Sequence, residues 1–151
     1  MTYVLISLFV LASYVISVCV RWGVPESVSQ TFFSIRHKWI FSFVMVAASV
    51  LLAVSLFDGL PEIFRFIGFF TVGGMLLIGV APNLNDEMDL RVHMTGAILL
   101  AVGSQMIVAV LQPYLLIVWL AFFIARKNKV FWAEMIGGLT LYGAIITDYL
   151  V

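Results

Sequence analysis

Charged residues and cysteines are both scarce in this sequence. Asp, Glu, Lys and Arg together make up 11% of its 151 residues, whereas soluble domains carry about 25%. So little charge cannot cover the surface of a soluble globule, and it indicates a protein whose outer face meets lipid. The single cysteine, Cys19, excludes an internal disulfide and any metal site built from several cysteines. The formal net charge is zero, so nothing favours nucleic acid as a partner.

Prolines are also few, and none lies in the middle of a segment that is predicted below to span the membrane. The sequence therefore lacks the broken helices that are typical of many transporters. It also lacks a glycine-rich phosphate loop, the zinc motif His-Glu-x-x-His and the nucleophile elbow of serine hydrolases. No motif of this kind therefore indicates a reaction.

Apolar residues are abundant, at 64% of the chain, and the mean hydropathy is +1.15. A membrane helix needs about 20 mostly apolar residues. The uncharged run over residues 94–125 is too long for one straight span, and Gln112-Pro113 is the strong break inside it. We therefore expect one all-α domain, a polytopic transmembrane helical bundle with about six spans. They are predicted at residues 3–20, 40–57, 63–81, 92–111, 113–126 and 130–147.

Basic residues distinguish six spans from an alternative in which residues 113–125 form a re-entrant loop. With six spans, seven of the 8 Lys and Arg residues fall on one side and only Arg65 on the other, whereas the alternative divides them equally. The positive-inside rule therefore favours six spans, with both termini outside and the longer basic loops in the cytoplasm. The seven are Arg21, Arg36, Lys38, Arg91, Arg126, Lys127 and Lys129.

The longest predicted cytoplasmic loop joins the first two spans. Val28, Phe32 and Ile35 in this loop share one face of a helix. We therefore expect a short helix over about residues 26–35 that lies in the membrane interface. The alternative is an ordered but irregular loop.

Polar groups within a membrane are costly, so each needs a reason. Glu134 interrupts the last span and lies about 7 Å deeper along the helix axis than Lys129. As a functional residue it could be a proton carrier, a ligand contact or a catalytic acid. Otherwise it is a carboxyl group neutralised by a proton or by a basic partner.

A second polar cluster precedes the fourth span. Asp86, Asp89 and His93 are spaced so that one helical face could carry all three as ligands of a divalent metal. The alternative is that the acids cap the helix and that Asp89 and His93 form an interfacial ion pair. No cofactor is expected beyond such a metal.

The predicted topology places Ser27, His93 and Glu134 on the cytoplasmic side, with the last two near the same depth. A polar pocket open to the cytoplasm could therefore contain all three, and they are the candidate catalytic residues.

Three stretches carry a resemblance to a family. They are residues 24–33 (VPESVSQTFF), Gly79-Val80-Ala81-Pro82 followed by His93, and Phe131-Trp132-Ala133-Glu134. Together they resemble an uncharacterised family of small six-helix membrane proteins, bacterial or phage-borne. The resemblance implies a multi-pass protein of the bacterial cytoplasmic (inner) membrane. It draws attention to Pro25, Ser27, Ser29, Pro82, His93 and Glu134 without assigning their roles.

A fainter similarity is to the membrane-embedded metal hydrolases of the ceramidase type. Those enzymes hold zinc with several His residues, whereas this chain has 2 His and lacks their His-x-x-x-His pair. A three-His site within one copy is therefore excluded.

Three functions remain open, in this order. The first is a non-enzymatic accessory, scaffold or lipid-binding bundle, which has the lipid bilayer and either a membrane-protein partner or a second copy as partners. The second is a membrane-embedded lipid hydrolase with a cytoplasm-facing site. The third is a small proton-coupled transporter or channel that uses Glu134.

Overall fold

The computed structural model describes residues 1–83, 89–124 and 127–150, and within these ranges it contains helices and turns but no strand. Five helices in this part of the chain are long and apolar enough to cross a membrane. They are α1 (Thr2–Trp22), α3 (Trp39–Gly59), α4 (Arg65–Val80) taken together with the 3-10 turn before it at Glu62–Phe64, α5 (Leu90–Leu111) and α6 (Lys129–Asp148). The predicted all-α fold is confirmed for the described residues.

The five long helices form a ring. Helix α1 packs beside α3, α3 beside α4, α4 beside α5 and α5 beside α6, and α6 closes the ring against α1. Ser7 on α1 binds both of its neighbours, because its hydroxyl donates to the Ala48 carbonyl of α3 at 2.7 Å and lies 2.7 Å from the Tyr142 hydroxyl of α6. The Tyr142 hydroxyl is therefore the donor of the second bond.

Basic residues collect at one end of this ring. Neighbouring helices run in opposite directions except for α5 and α6, which both begin at the same end. Six of the seven described Lys and Arg residues lie at that end, which we call the basic end, and Arg65 lies at the other. The six are Arg21, Arg36, Lys38, Arg91, Lys127 and Lys129.

The predicted short span is a 3-10 helix, Pro113–Ile124, packed outside the ring against α5 and α6. Its 12 residues extend about 24 Å at about 2.0 Å per residue, about 6 Å more than an α-helix of equal length. It runs antiparallel to α6, since Leu115 lies near Gly143 and Trp119 near Gly137. The segment is therefore longer than an α-helix with the same number of residues.

A polar side chain holds the 3-10 helix in place. The Trp119 indole N–H donates to the Gln105 amide oxygen of α5 at 2.7 Å. The Gln105 amide nitrogen lies 3.4 Å from the Thr140 hydroxyl of α6. These contacts link three helices. They also give the polar side chains hydrogen-bond partners within the protein, which are needed wherever water is excluded.

The segment between α1 and α3 is less helical than predicted. Residues 26–30 form bends and turns, and only α2 (Thr31–Ser34) is helical where the sequence predicts a helix over 26–35. Phe32 of α2 is buried, whereas Phe33 is exposed. The apolar pattern that predicts a longer helix therefore reflects the burial of side chains by a shorter helix.

Glycines bring α4 and α5 into backbone contact. A methyl group added at Gly74 would lie 2.6 Å from the Gly96 carbonyl oxygen, and one added at Gly96 would lie 2.7 Å from the Gly74 carbonyl oxygen. Small residues at such an interface let membrane helices approach closely. These two glycines therefore set the spacing between α4 and α5.

The Gly74→Ala variant should be destabilised by about 1–3 kcal/mol, because the added methyl forces the backbones of α4 and α5 apart. Thermal unfolding in detergent measures this change. The matched control is Gly73→Ala on the same helix, where an added methyl meets nothing within 4 Å. Equal midpoints for the two variants would contradict the close contact.

Candidate functional site

Hydrogen bonds attach the segment that follows α1 to the start of α6. We call this segment, residues 24–31, the 24–31 loop. The first amides of a helix have no partner within the helix. The Phe131 amide, in the first turn of α6, donates to the Glu26 carbonyl at 2.9 Å. The Asn128 side-chain amide donates to the Val24 carbonyl at 2.8 Å. The loop thus supplies acceptors to a helix start.

Glu134 makes the third bond between α6 and this loop. Its carboxylate oxygen Oε2 accepts the backbone N–H of Val28 at 2.5 Å. Two donors, one directly before α6 and one in its first turn, and one acceptor within α6 therefore face the loop backbone. They give three bonds between segments about a hundred residues apart in sequence. The Glu134 carboxylate thus fixes a backbone conformation.

Side chains within the loop reinforce this conformation. The Gln30 side chain accepts the Glu26 amide at 2.9 Å, and the Ser27 hydroxyl accepts the Gln30 amide at 3.1 Å. Thr31 joins the loop to α1 through a 2.6 Å hydrogen bond with the Tyr14 hydroxyl. The Ser27 hydroxyl therefore acts as a turn cap in this structure.

Glu134 also borders a cleft between α1 and α6. The cleft has a volume of about 90 Å³, and its walls are almost entirely apolar, with Leu11 and Val15 on α1 and Leu139 on α6. The glutamate is exposed at this surface although protein surrounds its carboxylate on the loop side. A carboxylate in such a place can either hold the loop or exchange a proton.

Asp89 caps α5. Its carboxylate oxygen Oδ1 accepts the amides of Arg91 at 3.0 Å and Val92 at 3.1 Å. Such a cap satisfies two amides at the start of the helix and stabilises it by about 1 kcal/mol. The Asp89 side chain therefore has a structural role in the described part of the chain.

His93 is buried one turn into α5. Its ring nitrogen Nδ1 has no hydrogen-bond partner among the described residues. Asp86, which sequence reasoning placed beside it as a metal ligand, lies outside those residues. Among residues 1–83, 89–124 and 127–150, no group of three His, Cys, Asp or Glu side chains is arranged to hold a metal ion.

The structure separates His93 from Glu134. Gln105 of α5 contacts Gly137 and Thr140 of α6, which fixes the register of these two helices. His93 lies 12 residues before Gln105, whereas Glu134 lies 3 to 6 residues before its contacts. The two residues are therefore offset by roughly 9–14 Å along the helix axes. Ser27, by contrast, is next in sequence to Val28, whose amide Glu134 binds.

Sequence reasoning did not identify Asn128, Gln30 or Gln105 as important. Asn128 has a left-handed backbone conformation with φ of 51°, which Asn adopts more readily than most residues. An Asn directly before a predicted helix therefore indicates that the chain can turn sharply where the helix begins. Gln105 carried a weaker signal, as a polar residue inside a long apolar run.

Comparisons of this chain with protein-family models, curated proteins and solved structures gave no match.

Replacing Glu134 tests the attachment of the loop. In Glu134→Ala the Val28 amide loses its acceptor, so we expect amide hydrogen exchange in residues 24–31 to rise by roughly tenfold, which corresponds to a lost bond of about 1.4 kcal/mol. Glu134→Gln is the matched control, because its amide oxygen can still accept the Val28 N–H. Exchange that is unchanged in the alanine variant would contradict the attachment.

Proposed function

We propose that this chain is a non-enzymatic scaffold bundle of the bacterial cytoplasmic membrane. In this proposal it has six spans, both termini lie outside, and the basic end with its 24–31 loop faces the cytoplasm. The partners are the surrounding lipid and either another membrane protein or a second copy of the chain. No cofactor is required.

One observation carries the scaffold proposal: two of the three candidate catalytic side chains, Glu134 and Ser27, bind backbone amides, as does the candidate metal ligand Asp89. The third catalytic candidate, His93, has no hydrogen-bond partner for Nδ1 among the described residues. Glu134 accepts the Val28 amide, Ser27 accepts the Gln30 amide and Asp89 caps α5. A catalytic acid or nucleophile instead needs its reactive atom directed at a substrate. These polar residues are used to give the basic end a fixed shape.

The proposed orientation is supported by charge. Six of the seven described Lys and Arg residues lie at the basic end, and cytoplasmic loops of membrane proteins carry such an excess. The 3-10 helix, at about 24 Å, approaches the thickness of the hydrocarbon core, about 30 Å. That length supports a sixth crossing.

The hydrolase alternative has less support. It requires His93, Asp89 and Glu134 around one substrate, yet the register of α5 and α6 offsets Glu134 from His93 by roughly 9–14 Å. The carboxylate of Asp89 is engaged in capping. These residues therefore lack a common reaction centre.

Proton transport is the second candidate function, and the position of Glu134, an exposed residue that borders an apolar cleft, favours it. The test is proton flux in liposomes that contain the purified chain. The scaffold proposal predicts that wild type and Glu134→Gln give the same flux as empty liposomes. A proton flux in wild type that is lost in Glu134→Gln would contradict the scaffold proposal and support the transporter.

Labelling of single cysteines tests the topology. In a Cys19→Ala background, Tyr114→Cys places a cysteine in the first turn of the 3-10 helix and Lys127→Cys places one beyond its other end. A membrane-impermeant maleimide applied to intact spheroplasts should label position 114 and leave position 127 unlabelled until the membrane is permeabilised. Labelling of both positions from outside would contradict the proposed sixth span. Protection of position 114 with labelling of position 127 would contradict the proposed orientation.

A further inference from the structure

A cavity opens at the basic end, between the end of α1, residues 35–37 and the start of α3. Its volume is about 400 Å³, which is within the range of small-molecule sites in proteins. Buried or nearly buried side chains line its inner part, namely Tyr14, Val18 and Ile35. The cavity is separate from the cleft beside Glu134.

Cationic and donor groups line the outer part of this cavity. They are the exposed side chains of Arg21, Arg36 and His37. None of the three makes an ion pair or a side-chain hydrogen bond with any residue that the structure describes. The Arg21 guanidinium only stacks over the Trp22 ring, 4.9 Å from its centroid.

Two guanidinium groups that border one cavity, without a described partner, leave their N–H donors free. An oxyanion can accept hydrogen bonds from these donors, and phosphate matches the planar donor array of arginine especially well. The donor set therefore selects an oxyanion, and phosphate in particular.

The inner wall distinguishes a lipid from a free ion. Inorganic phosphate gains nothing from Val18, Ile35 and Ile40, whereas the glycerol and proximal acyl carbons of a phospholipid bury apolar surface against them. Trp22 and Trp39, both exposed, lie at the same end, where aromatic residues mark a membrane interface. A bound phosphate would thus lie at headgroup level.

We propose that this cavity binds the phosphate of an anionic phospholipid between Arg21 and Arg36, with the glycerol backbone against Val18 and Ile35. His37 donates a further hydrogen bond. The site requires a chain that lies in a bilayer, as in the proposed function. It does not require the proposed orientation, so an inverted topology would overturn that orientation and leave the lipid site intact.

Native mass spectrometry of the full chain in detergent tests this site. The chain is offered equal amounts of phosphatidylglycerol and phosphatidylcholine with identical acyl chains. We expect retained phosphatidylglycerol in wild type, and a preference lowered roughly tenfold or more in the Arg21→Gln/Arg36→Gln variant. The matched control is Arg91→Gln/Lys127→Gln, which removes two charges at the same end but outside the cavity, and it should retain the preference.

Two further measurements complete the test. The first distinguishes binding in the cavity from a diffuse attraction of charge, and the second distinguishes a lipid ligand from free phosphate. Ser17 is exposed and borders the cavity, so Ser17→Trp should fill it and abolish retention while the thermal midpoint stays near that of wild type. Inorganic phosphate should displace the lipid only weakly. Equal loss in both charge variants, retention in Ser17→Trp or displacement by phosphate at lipid-equivalent concentrations would each overturn the site.

Discussion

The backbone contact between Gly74 and Gly96 is the constraint on which the rest of the bundle depends. It leaves no room for a side chain between the backbones of α4 and α5, and Thr71 meets Gly103 further along the same interface. From that position α5 presents Gln105 toward α6 and the 3-10 helix. In a hydrocarbon environment no hydrophobic force drives helices together, so such close packing supplies much of the cohesion.

Several polar side chains in this bundle join one segment to another. Ser7 joins α1 to α3 and α6, Gln105 joins α5 to the 3-10 helix and α6, and Glu134 joins α6 to the 24–31 loop. A polar group without a partner is costly in a membrane, so each such bond also fixes the relative position of the segments it joins. The scaffold proposal extends this pattern to the basic end.

The sequence was sufficient to predict the long helices, because apolar runs between charged residues have the length that a bilayer requires. It was also sufficient to identify Glu134 as a residue that needs a partner. It did not identify that partner, which is the backbone amide of Val28. Backbone groups occur at every position and leave no trace in a sequence, so this bond could not be predicted. The register that offsets His93 from Glu134 depends on Gln105 and on the 3-10 geometry of residues 113–124, which hydropathy does not encode.

The bonds between the 24–31 loop and α6 have a consequence for biogenesis. A nascent chain presents Val24, Glu26 and Val28 about a hundred residues before Asn128, Phe131 and Glu134 emerge from the ribosome. At about 5–20 residues per second, the loop waits several seconds or more with its acceptors and its Val28 amide exposed to water. Ring closure between α1 and α6 therefore has to wait until every helix between them has been made, and a chain stalled before α6 would have an open edge beside α1.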